Sequence, residues 1–195
     1  YLSLAAATIS IVSASALFAQ STPPPAAPAA AVPAKPGAAD YGRLPFIAQP
    51  RLSPDGLSMA GLINIHGEQV IAMRSLFKSD EKPVYVRIPE GTQVMEIRWV
   101  GNGNLLVGLY ANLPVEGDRW MITRMVGISR ATGKVTRIMW DRRGQSAADV
   151  LWAATDGSAN ILLAAQNSIY IEPEFWPKVW RVDVATGKRS LVLDG

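Results

Sequence analysis

The stretch ATGK at residues 131–134 recurs letter for letter at residues 185–188, 54 positions later. Each copy lies between runs rich in β-branched and aromatic residues. A period of about 40–50 residues with four short strands is typical of one β-propeller blade, whereas helical repeats carry a 3.6-residue period. We expect each copy to form the hairpin between the third and outermost strands of a blade, with Gly133 and Gly187 supplying a left-handed backbone position.

A second landmark repeats with nearly the same displacement. Trp99 and the apolar run Leu105–Leu109 shift onto Trp152 and Ile161–Ala165. Two landmarks displaced by one period favour repetition over coincidence. We expect both tryptophans to lie on inner strands and to wedge between neighbouring blades, where burying about 200 Å² of indole is worth several kcal/mol.

Strand-forming runs bounded by Gly, Pro, Asn and Asp continue along the chain, and no long helix is predicted. Ser53, Pro54, Asp55 and Gly56 predict a tight turn, because proline presets φ and glycine accepts positive φ. The predicted strands lie at 57–63, 69–74 and 84–88 in a first blade, at 96–100, 105–110, 120–128 and 134–140 in a second, and at 149–154, 161–166, 178–184 and 189–193 in a third.

The sequence therefore divides into three predicted parts. Residues 1–19 are uncharged and diluted by alanine and serine, as in a signal peptide, and residues 20–39 are a Pro/Ala-rich linker that we expect to be disordered. Residues 40–195 form an incomplete β-propeller, with blades at about 50–92, 93–146 and 147–195. Closed propellers have about four to eight blades, so we expect a longer parent chain of about 350–400 residues.

The leader predicts an exported, periplasmic protein. Small residues at 14–16 and at 19 suit a signal peptidase. Retention of the leader as a membrane anchor is the less favoured alternative, because a membrane span needs about 20 strongly apolar residues.

Composition excludes several kinds of function. The net charge of +3 comes from 19 basic and 16 acidic residues scattered along the chain, which gives no concentrated field for nucleic acid. Cysteine is absent and His66 is the single histidine, so thiolate catalysis and multi-histidine metal sites are excluded. No GxSxG motif occurs, and His66 falls in a predicted hairpin loop. We therefore predict no catalytic residue, metal ligand or cofactor in this chain.

The segment EPEFWP at 172–177 is the candidate binding site. Its prolines restrict the backbone, Glu172 and Glu174 could meet a cation such as a peptide amino terminus, and Trp176 could cover an apolar side chain. The alternative is a plain inter-strand loop whose aromatic rings pack onto the blade.

Two motifs resemble the prolyl oligopeptidase family of serine peptidases. The stretch DYGRLP at 40–45 is similar to that family's DYxRLP opening, and RLSPDG at 51–56 is similar to its SPDG blade turn. The resemblance extends from about Asp40 to the end of the chain. It implies that the propeller caps a C-terminal α/β-hydrolase domain, which carries the catalytic serine, aspartate and histidine and is absent here.

The resemblance also implies a role toward substrate. In the family the propeller restricts access to short peptides, and some relatives hold the peptide amino terminus with paired propeller acids. Glu172 and Glu174 invite that comparison, although their spacing differs. The function predicted is thus to gate and orient peptide substrates for the hydrolase domain. The alternative functions are a non-catalytic periplasmic propeller that binds or scaffolds other proteins, and a propeller enzyme with acids or histidines converging on its central channel.

Overall fold

Strands pair in chain order into three separate antiparallel sheets. The computed structural model describes Gly37, Gly42 and residues 45–141 and 144–194. Each sheet is a meander of four strands whose order in space equals their order in sequence. The predicted signal peptide and, apart from Gly37, the predicted linker lie outside the described residues.

The strands have the following bounds. Sheet 1 contains β1 Ile47–Leu52, β2 Ser58–Ile65, β3 Glu68–Ser75 and β4 Val84–Arg87. Sheet 2 contains β5 Gln93–Val100, β6 Asn104–Val115, β7 Asp118–Ser129 and β8 Val135–Ile138. Sheet 3 contains β9 Asp149–Ala153, β10 Asn160–Ala165, β11 Lys178–Asp183 and β12 Arg189–Leu193, and a four-residue helix α1, Glu172–Phe175, joins β10 to β11.

The predicted fold class, all-β with three four-stranded antiparallel blades of a partial propeller, is confirmed. Every predicted strand overlaps an observed one. The additional strand is β1, which sequence reasoning missed. It contains Pro50 and a bulge with Gln49 at φ 50°, and it tolerates both because it lies at the edge of its sheet.

The turn at 53–56 is built as its sequence predicts. The Gly56 N–H donates to the Ser53 carbonyl at 2.8 Å, and Gly56 has φ 71°. The Asp55 carboxylate accepts from the Ser53 hydroxyl at 2.5 Å and from the Leu57 N–H at 2.9 Å. These bonds, led by the hydroxyl of Ser53, lower the pKa of Asp55. These local hydrogen bonds fix the start of β2, and the Asp55 N–H also donates to the Asn102 side chain in the β5–β6 turn at 3.0 Å.

The two ATGK hairpins adopt the same conformation, as predicted. The Gly133 N–H donates to the Ser129 carbonyl at 2.8 Å, and the Gly187 N–H donates to the Asp183 carbonyl at 2.7 Å. Both glycines have left-handed φ, at 70° and 73°. Each hairpin joins the third and fourth strands of its sheet.

Sheet 2 is buried on both faces. Consecutive side chains of a strand point to opposite faces, so Leu105 packs into a core shared with sheet 1 while Leu106 packs into a core shared with sheet 3. This double burial explains why β6 contains the continuous apolar run that repeats in the sequence. The first core includes Ile71, Ile97 and Ile128, and the second includes Met125, Ile161 and Val182.

Sheet 2 comes close to the end of β11 of sheet 3 at Gly127. A Cβ atom at this position would lie 2.1 Å from the carbonyl oxygen of Val184. Glycine is therefore required at this point of β7 because the neighbouring backbone occupies the space of a side chain.

The two tryptophans differ. Trp99 is 8% exposed and donates its indole N–H to the Arg51 carbonyl at 3.0 Å, so it wedges between sheets 1 and 2 as predicted. Trp152 is 45% exposed and does not wedge between sheets 2 and 3, so the prediction that it is the equivalent of Trp99 is wrong.

Register explains why Trp152 is exposed. In sheet 2, Leu105 of β6 pairs with Trp99 on one side and with Ile128 on the other. In sheet 3, Ile161 of β10 pairs with Ala153 on one side and with Val182 on the other. Ile128 and Val182 each lie five residues before the glycine of their ATGK hairpin. The structural counterpart of Trp99 is therefore Ala153, and Trp152 lies on the opposite face of its strand. The loop before β10 is longer than the loop before β6, so alignment of the two tryptophans is out of register by one residue.

Candidate functional site

The predicted recognition segment lies in the connection between β10 and β11. Glu172–Phe175 form the single helical turn α1, preceded by Ile171 in an extended conformation. Pro173 lies in the first turn, where the missing N–H of proline costs no hydrogen bond. Trp176 is again extended, with φ −75° and ψ 137°, and ends the turn. The two prolines thus limit the helix to one turn.

Hydrogen bonds fold this segment back on itself. The Glu174 N–H donates to the Ile171 carbonyl at 2.9 Å, and the Ser168 N–H donates to the Glu174 carbonyl at 3.2 Å. The Ser168 hydroxyl, on a residue that is buried, accepts from the Tyr170 N–H at 3.1 Å. The backbone that carries the two acids is therefore tied on both sides of α1.

The buried side chain of Gln166 anchors the segment. Its Nε2 donates to the Phe175 carbonyl at 2.8 Å, and its Oε1 accepts from the Gln145 N–H at 2.8 Å. Both ends of the amide are thus satisfied within the protein. Removal of this side chain would leave the partly buried Gln145 N–H and Phe175 carbonyl without these partners, at a cost of about 1 kcal/mol each.

Gln145 extends the connection into sheet 2. Its carbonyl accepts from the Thr123 N–H at 2.9 Å, and its Nε2 donates to the Met121 carbonyl at 3.2 Å. The Ala147 N–H in turn donates to the Thr123 hydroxyl at 3.1 Å. The segment is therefore held by β7 of sheet 2 as well as by its own sheet.

The structure brings the three predicted residues together on one short stretch but does not converge the two acids. Successive helical positions differ by about 100°, so Glu172 and Glu174 point to different sides of the turn. Glu172 is exposed and Glu174 is half-buried. Within the described residues neither carboxylate forms an ion pair. A cation would meet one carboxylate, and Glu172 is the accessible one.

The aromatic rings of the segment remain exposed. Trp176 is 63% exposed and Phe175 is 45% exposed, and the two rings make an edge-to-face contact with centroids 5.6 Å apart. Tyr170 and Ile171 are exposed beside them. These four side chains, which we call the aromatic patch, are exposed apolar groups on one short stretch of chain.

Sequence reasoning missed Gln145 and Gln166, which position this segment. Their contacts join residues 21 positions apart in the chain, which no local pattern reveals. The one local signal in the sequence was the position of Gln166, a polar residue directly after the apolar run of β10.

His66 occupies a hairpin tip, as predicted. His66 and Gly67, at φ 52° and 91°, form the two-residue turn between β2 and β3. The Asn64 side chain caps this turn by accepting from the Gly67 N–H at 2.8 Å. The imidazole is exposed, so its position agrees with a turn residue.

The described part of the chain contains neither a metal-binding cluster nor a membrane-spanning helix. Among residues 45–141 and 144–194, together with Gly37 and Gly42, no group of three acidic or histidine side chains is arranged to hold a metal ion. In that same part of the chain, no helix has the length and apolar character needed to cross a bilayer.

The chain was compared with known proteins. No family model matches the sequence. No curated protein matches it at a significant level. A solved structure described as acylaminoacyl peptidase in complex with Z-Gly-Gly-Phe-chloromethyl ketone is similar over 77% of this chain, with 13% sequence identity and a TM-score of 0.49. The chain spans 25% of the length of that peptidase chain.

Proposed function

We propose that this chain is the propeller part of an exported serine peptidase similar to the prolyl oligopeptidase family. Its role is to admit and orient peptide substrates for an α/β-hydrolase domain encoded elsewhere in the same polypeptide. The proposal is supported by the DYGRLP and RLSPDG motifs, by the apolar leader at 1–19 and by the array of three four-stranded sheets.

The observation that carries the substrate role is the anchored α1 segment. Recognition elements work best when they are rigid before the ligand arrives, because less conformational entropy is then lost on binding. The Gln166 amide and the hydrogen bonds around Ser168 provide this rigidity. The acidic and aromatic side chains on the segment stay accessible.

Glu172 and Trp176 divide the recognition between them. The exposed Glu172 carboxylate pairs with the positively charged amino terminus of a peptide. Trp176 is four residues further on, where the chain leaves the helical turn, and its exposed ring covers the first apolar side chain.

The test uses the full-length gene product. We expect a fluorophosphonate probe to label it covalently and the purified protein to cleave short peptides. In that protein, Glu172→Gln should raise KM about tenfold for peptides with a free amino terminus, since a charge-assisted contact is worth about 1.4 kcal/mol. KM for acetylated peptides should not change.

The control substitution is Glu90→Gln, which removes another exposed acid, in the turn before β5. It should leave both KM values unchanged. A full-length protein that is not labelled and cleaves no peptide would overturn the peptidase proposal. An equal effect of Glu172→Gln on free and acetylated peptides would overturn the role of Glu172.

The second candidate function is a non-catalytic periplasmic module that binds or scaffolds other proteins. The aromatic patch favours it, since clustered exposed apolar side chains mark protein interaction sites. In that case Trp176→Ala should abolish capture of a periplasmic partner, and the full-length protein should remain unlabelled by the probe.

A further inference from the structure

A cleft of about 310 Å³ lies between sheets 1 and 2, beside their outer strands. Buried aliphatic side chains form its floor, among them Ile71, Leu109 and Ile128. The volume lies at the lower end of the range of small-molecule sites. A water molecule occupies about 30 Å³ in the liquid, so the cleft has room for about ten groups the size of a water molecule.

One wall of the cleft is the indole of Trp140, which the fold positions specifically. Its Nε1 donates to the Met125 carbonyl at 2.8 Å. The preceding residue, Met139, is 3% exposed and has the left-handed φ of 59°. A left-handed conformation costs a residue with a side chain about 1–2 kcal/mol. The fold thus maintains a strained residue at the point where the chain turns Trp140 into this cleft.

The charge of the cleft is positive. Arg137 lines it, with its guanidinium carbon 5.0 Å from the centre of the Trp140 ring. Arg87 is a second lining residue, and no acidic side chain among the described residues lines the cleft. In the described part of the chain, neither arginine has an acidic partner. A guanidinium that lies on an indole face keeps its in-plane N–H groups free to bind a carboxylate.

We propose that this cleft binds an aliphatic monocarboxylate of about ten carbons. The hydrocarbon chain of this ligand lies on the apolar floor of the cleft, and its carboxylate accepts hydrogen bonds from Arg137. Polar ligands such as sugars are disfavoured because the aliphatic floor offers them no hydrogen-bonding partner. This site lies away from α1 and is independent of the proposed peptidase function.

The test is titration calorimetry of the full-length protein with decanoate and with decanol, both below the concentration at which they aggregate. We expect decanoate to bind about tenfold more tightly than decanol. Arg137→Gln should remove this difference by weakening decanoate about tenfold, because a charge-assisted contact is worth about 1.4 kcal/mol. Arg181→Gln removes an exposed arginine of β11 and should change neither affinity.

A second variant tests the position of the aliphatic chain. Val135, 44% exposed, lies at the edge of the cleft on β8, so Val135→Phe should block entry and weaken both ligands at least tenfold. Val192→Phe makes the same change on β12, where Val192 is 53% exposed, and should have no effect. Circular dichroism establishes that both variants are folded, since strands accept aromatic residues.

Three results would overturn the proposal: no binding of decanoate, equal affinity for decanoate and decanol, or binding that survives Val135→Phe in the folded variant. The carboxyl terminus of an apolar peptide also combines a carboxylate with aliphatic groups. Acetyl-leucyl-leucine is therefore titrated as a further ligand. We expect it to bind more weakly than decanoate, because its amide groups find no partners on the floor. Tighter binding of this peptide would refute an aliphatic acid as the ligand.

Discussion

Replacement of Gly127 by alanine should push sheets 2 and 3 apart. The added Cβ would lie 2.1 Å from the carbonyl oxygen of Val184, whereas ordinary contacts begin near 3.4 Å, a deficit of about 1.3 Å. Val184 cannot retreat easily, because it is buried and its N–H donates to the Ala159 carbonyl at 2.8 Å. The end of β11 and the Ala159 loop bonded to it must therefore move together.

The expected cost follows from the kind of contact. Overpacking in a core costs about 1–3 kcal/mol, and a clash with backbone cannot be relieved by a change of rotamer. We therefore expect Gly127→Ala to lower the free energy of unfolding by about 3 kcal/mol, a large share of the 5–15 kcal/mol that is typical of a domain. In urea this loss shifts the unfolding midpoint by about 1–3 M.

The matched control is Gly103→Ala. No atom would lie within 4 Å of a Cβ at Gly103, and its φ is not left-handed. Its effect should be less than about 1 kcal/mol in either direction. Equal urea midpoints for the two variants would refute the packing of β7 against Val184.

Three further predictions concern hydrogen bonds and charges. Asp55→Asn combined with Asp156→Asn should reduce the loss of thermal stability as the pH falls below about 4. The hydroxyls of Ser53 and Ser158 lower the pKa of these carboxyls below 3.8, so their contribution is present above that pH and is lost as the pH falls through the lowered pKa. An unchanged melting-temperature profile would contradict this. Gln166→Ala should make the 167–177 connection the first site of limited proteolysis and should lower the free energy of unfolding in urea by about 2 kcal/mol. An unchanged cleavage pattern would show that the contacts of Gln166 with Gln145 and Phe175 do not hold the segment. Arg189→Ala removes a bidentate ion pair to Asp141, at 2.7 and 2.6 Å. Because both side chains are partly exposed, the free energy of unfolding should fall by about 1 kcal/mol or less, and by a smaller amount in 1 M salt. A salt-independent loss would mean that the contact of Arg189 with the Trp180 ring dominates.

The sequence was sufficient for the strands and corners because their signals are local. Glycine and proline mark the turns, and Gly133 and Gly187 take the left-handed φ that their hairpins require. β1 was missed because Pro50 and Gln49 interrupt its pattern, which only an edge position permits. Trp152 was placed on the wrong face because one residue of slip reverses every side chain of a strand.

The candidate site was predictable in composition but not in geometry. The acids and aromatic rings at 172–177 are visible in the letters, and so is the restraint by proline. The anchoring through Gln145 and Gln166 depends on how two sheets meet, which is not local information. The cleft beside Trp140 is likewise formed by two sheets and has no linear motif.

The two ATGK hairpins also have a consequence for how such a chain can evolve. A Cβ at Gly133 would touch Val84 on the outermost strand of sheet 1, and one at Gly187 would touch Thr136 on the outermost strand of sheet 2. A gene segment of about 54 codons thus encodes both a sheet and the element that seats it on its predecessor. Tandem duplication of that segment therefore adds a unit that already carries the residues that pack it onto the preceding sheet.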